Sequence, residues 1–156
     1  MTEKRLIGWR EWLSLPDLGI PWIKVKVDTG ARTSALHAFA LEPYYNAKGE
    51  WRIRFGIHPV QHADVPAIWC DAAIADQREV CDSGGHREMR YVVRTCLSMN
   101  AWQWEGEVTL TDRENMRFRM LLGRSAMQEF FLVDPSQSFL LGGDRFSPPF
   151  EDETFE

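Results

Sequence analysis

Cysteine is scarce in this 156-residue chain, and the three present, Cys70, Cys81 and Cys96, show no Cys-x-x-Cys spacing. An odd count without that spacing speaks against a disulfide framework or a thiolate zinc site, and leaves three reduced thiols. No His-Glu-x-x-His run and no Gly-x-x-x-x-Gly-Lys-Ser/Thr run occurs. The usual zinc-hydrolase helix and the phosphate-cradling loop of an ATP user are therefore both missing. The nearest approach to a metal pair is His58-Pro59-Val60-Gln61-His62, where Pro59 and the strand-like residues before it oppose a shared helical face. No metal and no cofactor are expected. Basic residues number 18 against 23 acidic ones, for a formal charge of −5 and a pI of about 5.4. Such a chain has no global positive field for a phosphate backbone, so nucleic-acid binding is not expected. Long hydrophobic runs are missing as well: nothing approaches bilayer-spanning length, and Met1-Thr2-Glu3-Lys4-Arg5 is too broken by charge for a secretory signal. The expectation is a cytoplasmic protein without membrane contact.

What the chain does have is hydrophobic mass, 44% of residues with 12% aromatic, enough for one core in a chain too short for two ordinary domains. Its patterning is of period two. Ile23, Val25 and Val27 alternate with Lys24 and Lys26; Trp51, Ile53, Phe55 and Ile57 alternate with Arg52 and Arg54. Trp102, Trp104, Val108 and Leu110 alternate with Gln103, Glu105 and Glu107, and Met116, Phe118, Met120 and Leu122 with Arg117 and Arg119. Each is the pattern of a half-buried strand. Turn chemistry separates them at Asn46-Ala47-Lys48-Gly49, Asp82-Ser83-Gly84-Gly85 and Asp112-Arg113-Glu114-Asn115. One short helix fits residues 125–130. A mostly-β barrel or sandwich-like domain over residues 1–143 is expected, followed by an acidic, Pro-containing, loosely ordered tail over 144–156.

One tripeptide points to chemistry. Peptide hydrolysis by carboxylates needs two of them sharing one proton, one acting as base on a water while the other polarises the carbonyl. Val27-Asp28-Thr29-Gly30-Ala31 puts an Asp where a predicted apolar strand ends, a Thr29 hydroxyl able to bond to its symmetry mate, and Gly30 where the backbone turns beneath the carboxylate. A random Asp-Thr-Gly is expected in only about 3% of chains this long, so coincidence is the weaker explanation. The plain alternative is a strand-to-turn corner, since all three residues favour turns.

A second run, Met120-Leu121-Leu122-Gly123-Arg124, is two apolar residues, Gly and Arg ahead of a short helical segment. Together with Asp28-Thr29-Gly30 it resembles the retropepsin pattern of dimeric aspartic peptidases. The resemblance implies a closed acid-protease barrel with one short helix, a homodimer, and a catalytic Asp28 with Thr29 and Gly30. It implies that Leu121, Leu122, Gly123 and Arg124 brace the catalytic loop. It also implies a glycine-tipped flap, for which Ser83, Gly84, Gly85 and His86 stand in the right place, with Ala31 and Arg32 beside the substrate. Asp82-Ser83-Gly84 spells the same tripeptide form but follows no apolar strand, so a flap or turn is preferred there. Ile7-Gly8-Trp9-Arg10-Glu11-Trp12, Leu15-Pro16-Asp17-Leu18-Gly19-Ile20 and the run from Lys26 to His37 further resemble a bacterial group labelled ATP-dependent zinc proteases. Some members of that group are associated with the RimK type of ligase, which adds glutamates to a small-subunit ribosomal protein. The label itself finds no support in the motifs.

The expected function is an aspartic endopeptidase-like hydrolase acting on a peptide or protein. Arg32, with Arg87, Arg90, Arg117, Arg119 and Arg124, would favour acidic substrates, although Arg117 and Arg119 read as the solvated side of a strand and Arg124 as a brace. His37 and His86 each read first as an ordinary histidine, with a site-lining role as the alternative and His86 kept in the flap by the resemblance, and the seven tryptophans read as core and interface mass. Two rival functions stay open: a non-catalytic module that binds peptides or regulates a RimK-type glutamate ligase, and a zinc-dependent protease.

Overall fold

The alternating segments form strands. The computed structural model describes residues 3–81, 84–113 and 116–141, and these contain twelve strands and one four-residue α-helix. The strands are β1 (Arg5–Gly8), β2 (Arg10–Leu15), β3 (Ile20–Asp28), β4 (Ser34–His37), β5 (Ala40–Tyr45), β6 (Trp51–Ile57), β7 (Ile68–Ala73), β8 (Asp76–Cys81), β9 (Arg87–Met99), β10 (Trp102–Thr111), β11 (Met120–Gly123) and β12 (Phe131–Asp134). The helix, α1 (Arg124–Met127), lies between the last two strands. The protein is thus mostly β with one short helix; residues 144–156, expected as a tail, lie outside the described ones.

Seven strands form one sheet in the order β10-β4-β11-β3-β2-β9-β8, and β9 also pairs with β10. Hydrogen bonding therefore runs from β10 through β4, β11, β3, β2 and β9 back to β10, with β8 attached outside. Strands β5, β6 and β7 make a separate antiparallel sheet, and β1 lies parallel to β12. The period-two faces explain the core: Ile23, Val25 and Val27 from β3 meet Leu36, Val93, Leu97, Val108, Leu110, Met120 and Leu122, all buried. Ile53, Phe55 and Ile57 of β6 join the same cluster. Each such side chain contributes about 1.5–3 kcal/mol through burial.

Four local expectations need correction. Lys24 is not on a solvated face: it is 3% exposed, because its ammonium lies 5.9 Å from the Trp12 ring and 5.8 Å from that of Phe118, where aromatic faces attract a cation. The strand predicted from Met116 begins only at Met120, since buried Phe118 packs edge-on against Trp9 at 5.9 Å and the preceding residues bend to allow it. Arg119 in this bend donates to the Ala63 carbonyl at 3.4 Å, so it is tied to the fold rather than merely solvated. The helix starts one residue early, at Arg124, and ends at Met127; residues up to Phe130 form a turn closed by Phe130 N–H on the Met127 carbonyl at 2.9 Å.

Candidate active site

Asp28 is the last residue of β3, and β11 runs parallel beside it with Leu122 opposite Val27 and Gly123 opposite Asp28. The other edge of β11 pairs antiparallel with β4, Met120 to Leu36 and Leu121 to Ala35. The Leu121-Leu122-Gly123 strand is thus threaded between the two strands that the Asp28 loop connects. This explains the glycine. A Cβ at Gly123 would sit 2.4 Å from the Thr33 carbonyl carbon and 2.7 Å from the Ser34 nitrogen, closer than real contacts allow. Gly123 N–H instead donates to Ser34 Oγ at 3.0 Å.

The residues after Gly123 hold the far side of the loop. Arg124 N–H donates to the Ala31 carbonyl at 2.7 Å and Ser125 N–H to the Arg32 carbonyl at 2.9 Å, while Arg124 Nη1 donates to the Thr29 carbonyl at 3.0 Å. Within the loop, Gly30 N–H donates to Asp28 Oδ1 at 3.1 Å, and Ala31 N–H to the Asp28 carbonyl at 3.2 Å. The carboxylate is oriented by its own turn. Gly30 is not among the glycines of positive φ; a Cβ there would meet Asp28 Oδ1 at 3.4 Å, an ordinary contact. Its part is the donated N–H and a small profile, not a special backbone angle. Asp28 is half-buried, and Thr29, Gly30 and Arg32 are exposed.

Asp28, Gly30, Ala31, Arg32, Leu121 and Arg124 line an open cleft of about 1060 Å³. The opposite wall is the β8–β9 hairpin, which contributes Arg78, Glu79, Val80, Cys81 and Arg90. Gly84 and Gly85 are exposed at its turn, Gly85 with φ +85°, a left-handed conformation that glycine adopts without steric cost. Ser83 lies outside the described residues. His86 lines a neighbouring cavity of about 400 Å³ instead of the Asp28 cleft, and His37 is buried in β4. Desolvation pushes the His37 pKa down, helped by the nearby Arg119 charge.

The cleft holds charges that sequence patterning did not assemble. Arg78 faces Arg90 directly across β8 and β9, a like-charge pair that would be unfavourable alone. Carboxylates offset it. Arg78 Nη1 and Nη2 reach Glu107 Oε1 and Oε2 at 2.9 and 3.4 Å, and Arg90 Nε reaches Glu88 Oε1 at 2.5 Å. Glu88 also accepts from Thr111 Oγ1 at 2.9 Å. Burial works against ionisation of Glu88, yet those hydrogen bonds and the charges of Arg90 and Arg113 outweigh it and hold its carboxyl below the usual range. Arg78 and Glu107 went unrecognised because they meet only through strand pairing, and Arg113 because it follows the end of β10. The one available signal was the run of charged positions in Asp76-Gln77-Arg78-Glu79, an exposed edge strand with something to face.

A family model described as the retropepsin-like aspartic endopeptidase RimB matches residues 6–142. The chain belongs to this RimB-like family. Its place there agrees with the resemblance carried by Asp28-Thr29-Gly30 and Leu121-Leu122-Gly123-Arg124, and it is a family of aspartic endopeptidase type. Relatives include a probable alpha-L-glutamate ligase of Shewanella pealeana, 44% identical over 140 residues, 90% of this chain and 30% of the relative. One of Parasynechococcus marenigrum is 45% identical over 142 residues, with 91% and 30% covered. The chain therefore spans about 30% of the length of the curated relatives it matches. A crystal structure of a Legionella pneumophila protein of unknown function shares the fold, with a TM-score of 0.71 at 24% identity over 88% of this chain and 98% of that one. No described helix is long and apolar enough to cross a membrane.

Proposed function

We propose that this RimB-like chain is an aspartic peptidase that hydrolyses peptide bonds with a water activated between two Asp28 carboxylates, one from each subunit of a homodimer. The observation that carries this reading is the carboxylate inventory of the cleft. Its lining contains Asp28, Glu79 and Glu107; Glu107 is engaged by both terminal nitrogens of Arg78, and Glu79 is paired with Arg87 at 3.1 Å. Among the described residues Asp28 is the cleft acid held by its own turn alone. Two carboxylates are needed to divide the roles of base and acid, and a two-fold axis supplies the second from an identical chain. The exposed Thr29-Gly30 turn beside the half-buried Asp28 is open to receive its copy.

In this reading the ring of strands from β10 back to β10 is the closed barrel of a retropepsin domain spanning residues 1–143. Asp28 acts with Thr29 and Gly30. The hairpin tip at Ser83, Gly84, Gly85 and His86 is a flap over Ala31 and Arg32, and Leu121 to Arg124 brace the loop. The exposed Arg32, with no side-chain partner among the described residues, favours an acidic substrate together with the other cleft arginines. No metal or cofactor takes part.

A second reading is favoured by the relatives' names. Because their matched portion forms about 30% of proteins called probable alpha-L-glutamate ligases, the same cleft would bind peptides beside a RimK-type ligase without cutting them. A peptide-library digest with wild type and Asp28→Asn separates the two. Turnover by wild type and none by a folded Asp28→Asn is expected, and it should survive chelators. Peptide binding by both proteins with turnover by neither would establish the binding module, and turnover lost to a chelator and restored by zinc would establish a metal enzyme.

A further inference from the structure

The pairing of β11 with β4 ends at Leu121 opposite Ala35, two residues short of Gly123. Gly123 is buried, so its N–H needs an acceptor that the ladder between these strands no longer supplies. Ser34 supplies it. This residue is wholly buried at the start of β4 and accepts the Gly123 N–H on Oγ at 3.0 Å. Its carbonyl accepts in turn from Thr109 Oγ1 at 2.9 Å, and Thr109, in β10, is 1% exposed. Ser34 is thus held on its main chain from β10 while its side chain holds β11. Alanine and valine would fill nearly the same space at these two positions; what they lack is the hydroxyl. The described residues that line the Asp28 cleft include Thr33, Ala35, Glu107 and Thr111 but neither Ser34 nor Thr109, so the two hydroxyls act on the fold around the cleft and not on what lies in it.

We propose that Ser34 and Thr109 are positioning residues, whose paired hydroxyl bonds fix the Asp28 carboxylate in place through Gly123. Gly123 stands opposite Asp28 across β11 and β3, and the next two N–H groups, of Arg124 and Ser125, hold the Ala31 and Arg32 carbonyls of the Asp28 loop at 2.7 and 2.9 Å. A shift at the end of β11 therefore reaches both sides of the Asp28 turn. Without the Ser34 hydroxyl the buried Gly123 N–H loses its acceptor, and without the Thr109 hydroxyl Ser34 loses its anchor on β10. A displacement of about 1 Å at a reacting group lowers a rate about a hundredfold. That consequence for rate rests on the peptidase reading; the mechanical coupling of the two hydroxyls to the turn does not.

The test compares full-length wild type with Ser34→Ala, Thr109→Val and Thr109→Ser, the last of which keeps the hydroxyl. The Gly30 N–H resonance, which reports the bond to Asp28 Oδ1, is recorded for each, and kcat and KM are measured on a peptide that wild type cuts. In Ser34→Ala and Thr109→Val the Gly30 resonance should move while those of β6, in the separate sheet, stay in place, and kcat should fall about tenfold or more with KM within about twofold. Thr109→Ser should bring both readings back toward wild type. A Gly30 resonance unmoved in Thr109→Val, an unaltered kcat in that variant, or a loss that Thr109→Ser shares overturns the assignment; so does a change spread equally through β6, which is loss of stability alone. Thr109→Val and Thr109→Ser decide the matter where Ser34→Ala does not fold. If wild type cuts no peptide, the peptidase reading fails, and the Gly30 resonance still decides the coupling.

Discussion

Gly123 stands in register with Asp28 across two parallel strands, and it leaves no room for a methyl group beside the Thr33–Ser34 peptide. Gly123→Ala must push the loop that orients the carboxylate. We expect a loss of at least about 3 kcal/mol of stability, at the upper end for overpacking against backbone, measured by urea unfolding. Gly30→Ala, facing only an ordinary contact, should cost far less. Equal costs would remove the steric account of Gly123.

If both Asp28 carboxylates serve one site, inactive subunits poison active ones. Equal mixtures of wild type and Asp28→Asn, allowed to exchange subunits, should keep about a quarter of the activity of the same total amount of wild type, since only pairs of two wild-type chains work. Retention of half would mean each chain acts alone. Sedimentation of the same mixtures checks that the species is a dimer.

Acid should loosen the contact between the β8–β9 hairpin and the end of β10. Glu88 ionises more readily in the folded chain than in the unfolded one, so its ionised form stabilises the fold above the usual carboxylate range. That contribution is lost as pH falls through that range and below it. Wild type should therefore melt above Glu88→Gln at neutral pH, and the gap should narrow as pH falls through and below the usual carboxylate range. A gap independent of pH would assign Glu88 a packing role only.

Glu11 is fully buried and accepts backbone N–H groups from Gly8 at 2.7 Å, Leu140 at 2.7 Å and Leu141 at 3.1 Å. Glu11→Ala leaves those donors without their carboxylate acceptor. A cost of about 3 kcal/mol or more is expected, with hydrogen exchange accelerated first at Leu140 and Leu141. Exchange unchanged at those amides would show that other contacts hold the segment.

How much of this was legible beforehand follows from the range over which each signal acts. Period-two alternation marked β3, β6 and β10 because each has one face on the core, and Asp28 was legible because a strand end and a turn tripeptide are adjacent in sequence. Gly123 was legible through resemblance, while its reason, a peptide bond 2.4 Å from a would-be Cβ, needed the fold. The burial of Lys24 was hidden since Phe118 reaches it only after the chain bends. The Arg78–Glu107 pair was hidden for a like cause: β8 and β10 meet across β9, and no local spacing announces that these charges will face one another, whereas Glu88 and Arg90 sit two apart on β9 and share a face.

The parallel pairing of β1 with β12, Arg5 beside Phe131 through Gly8 beside Asp134, has a mechanical consequence. Tension on the chain ahead of β1 and beyond β12 pulls parallel neighbours along their common axis in opposite directions. The bonds between them are then loaded together in shear, not unzipped one at a time, so the core is shielded from force until that clasp slips.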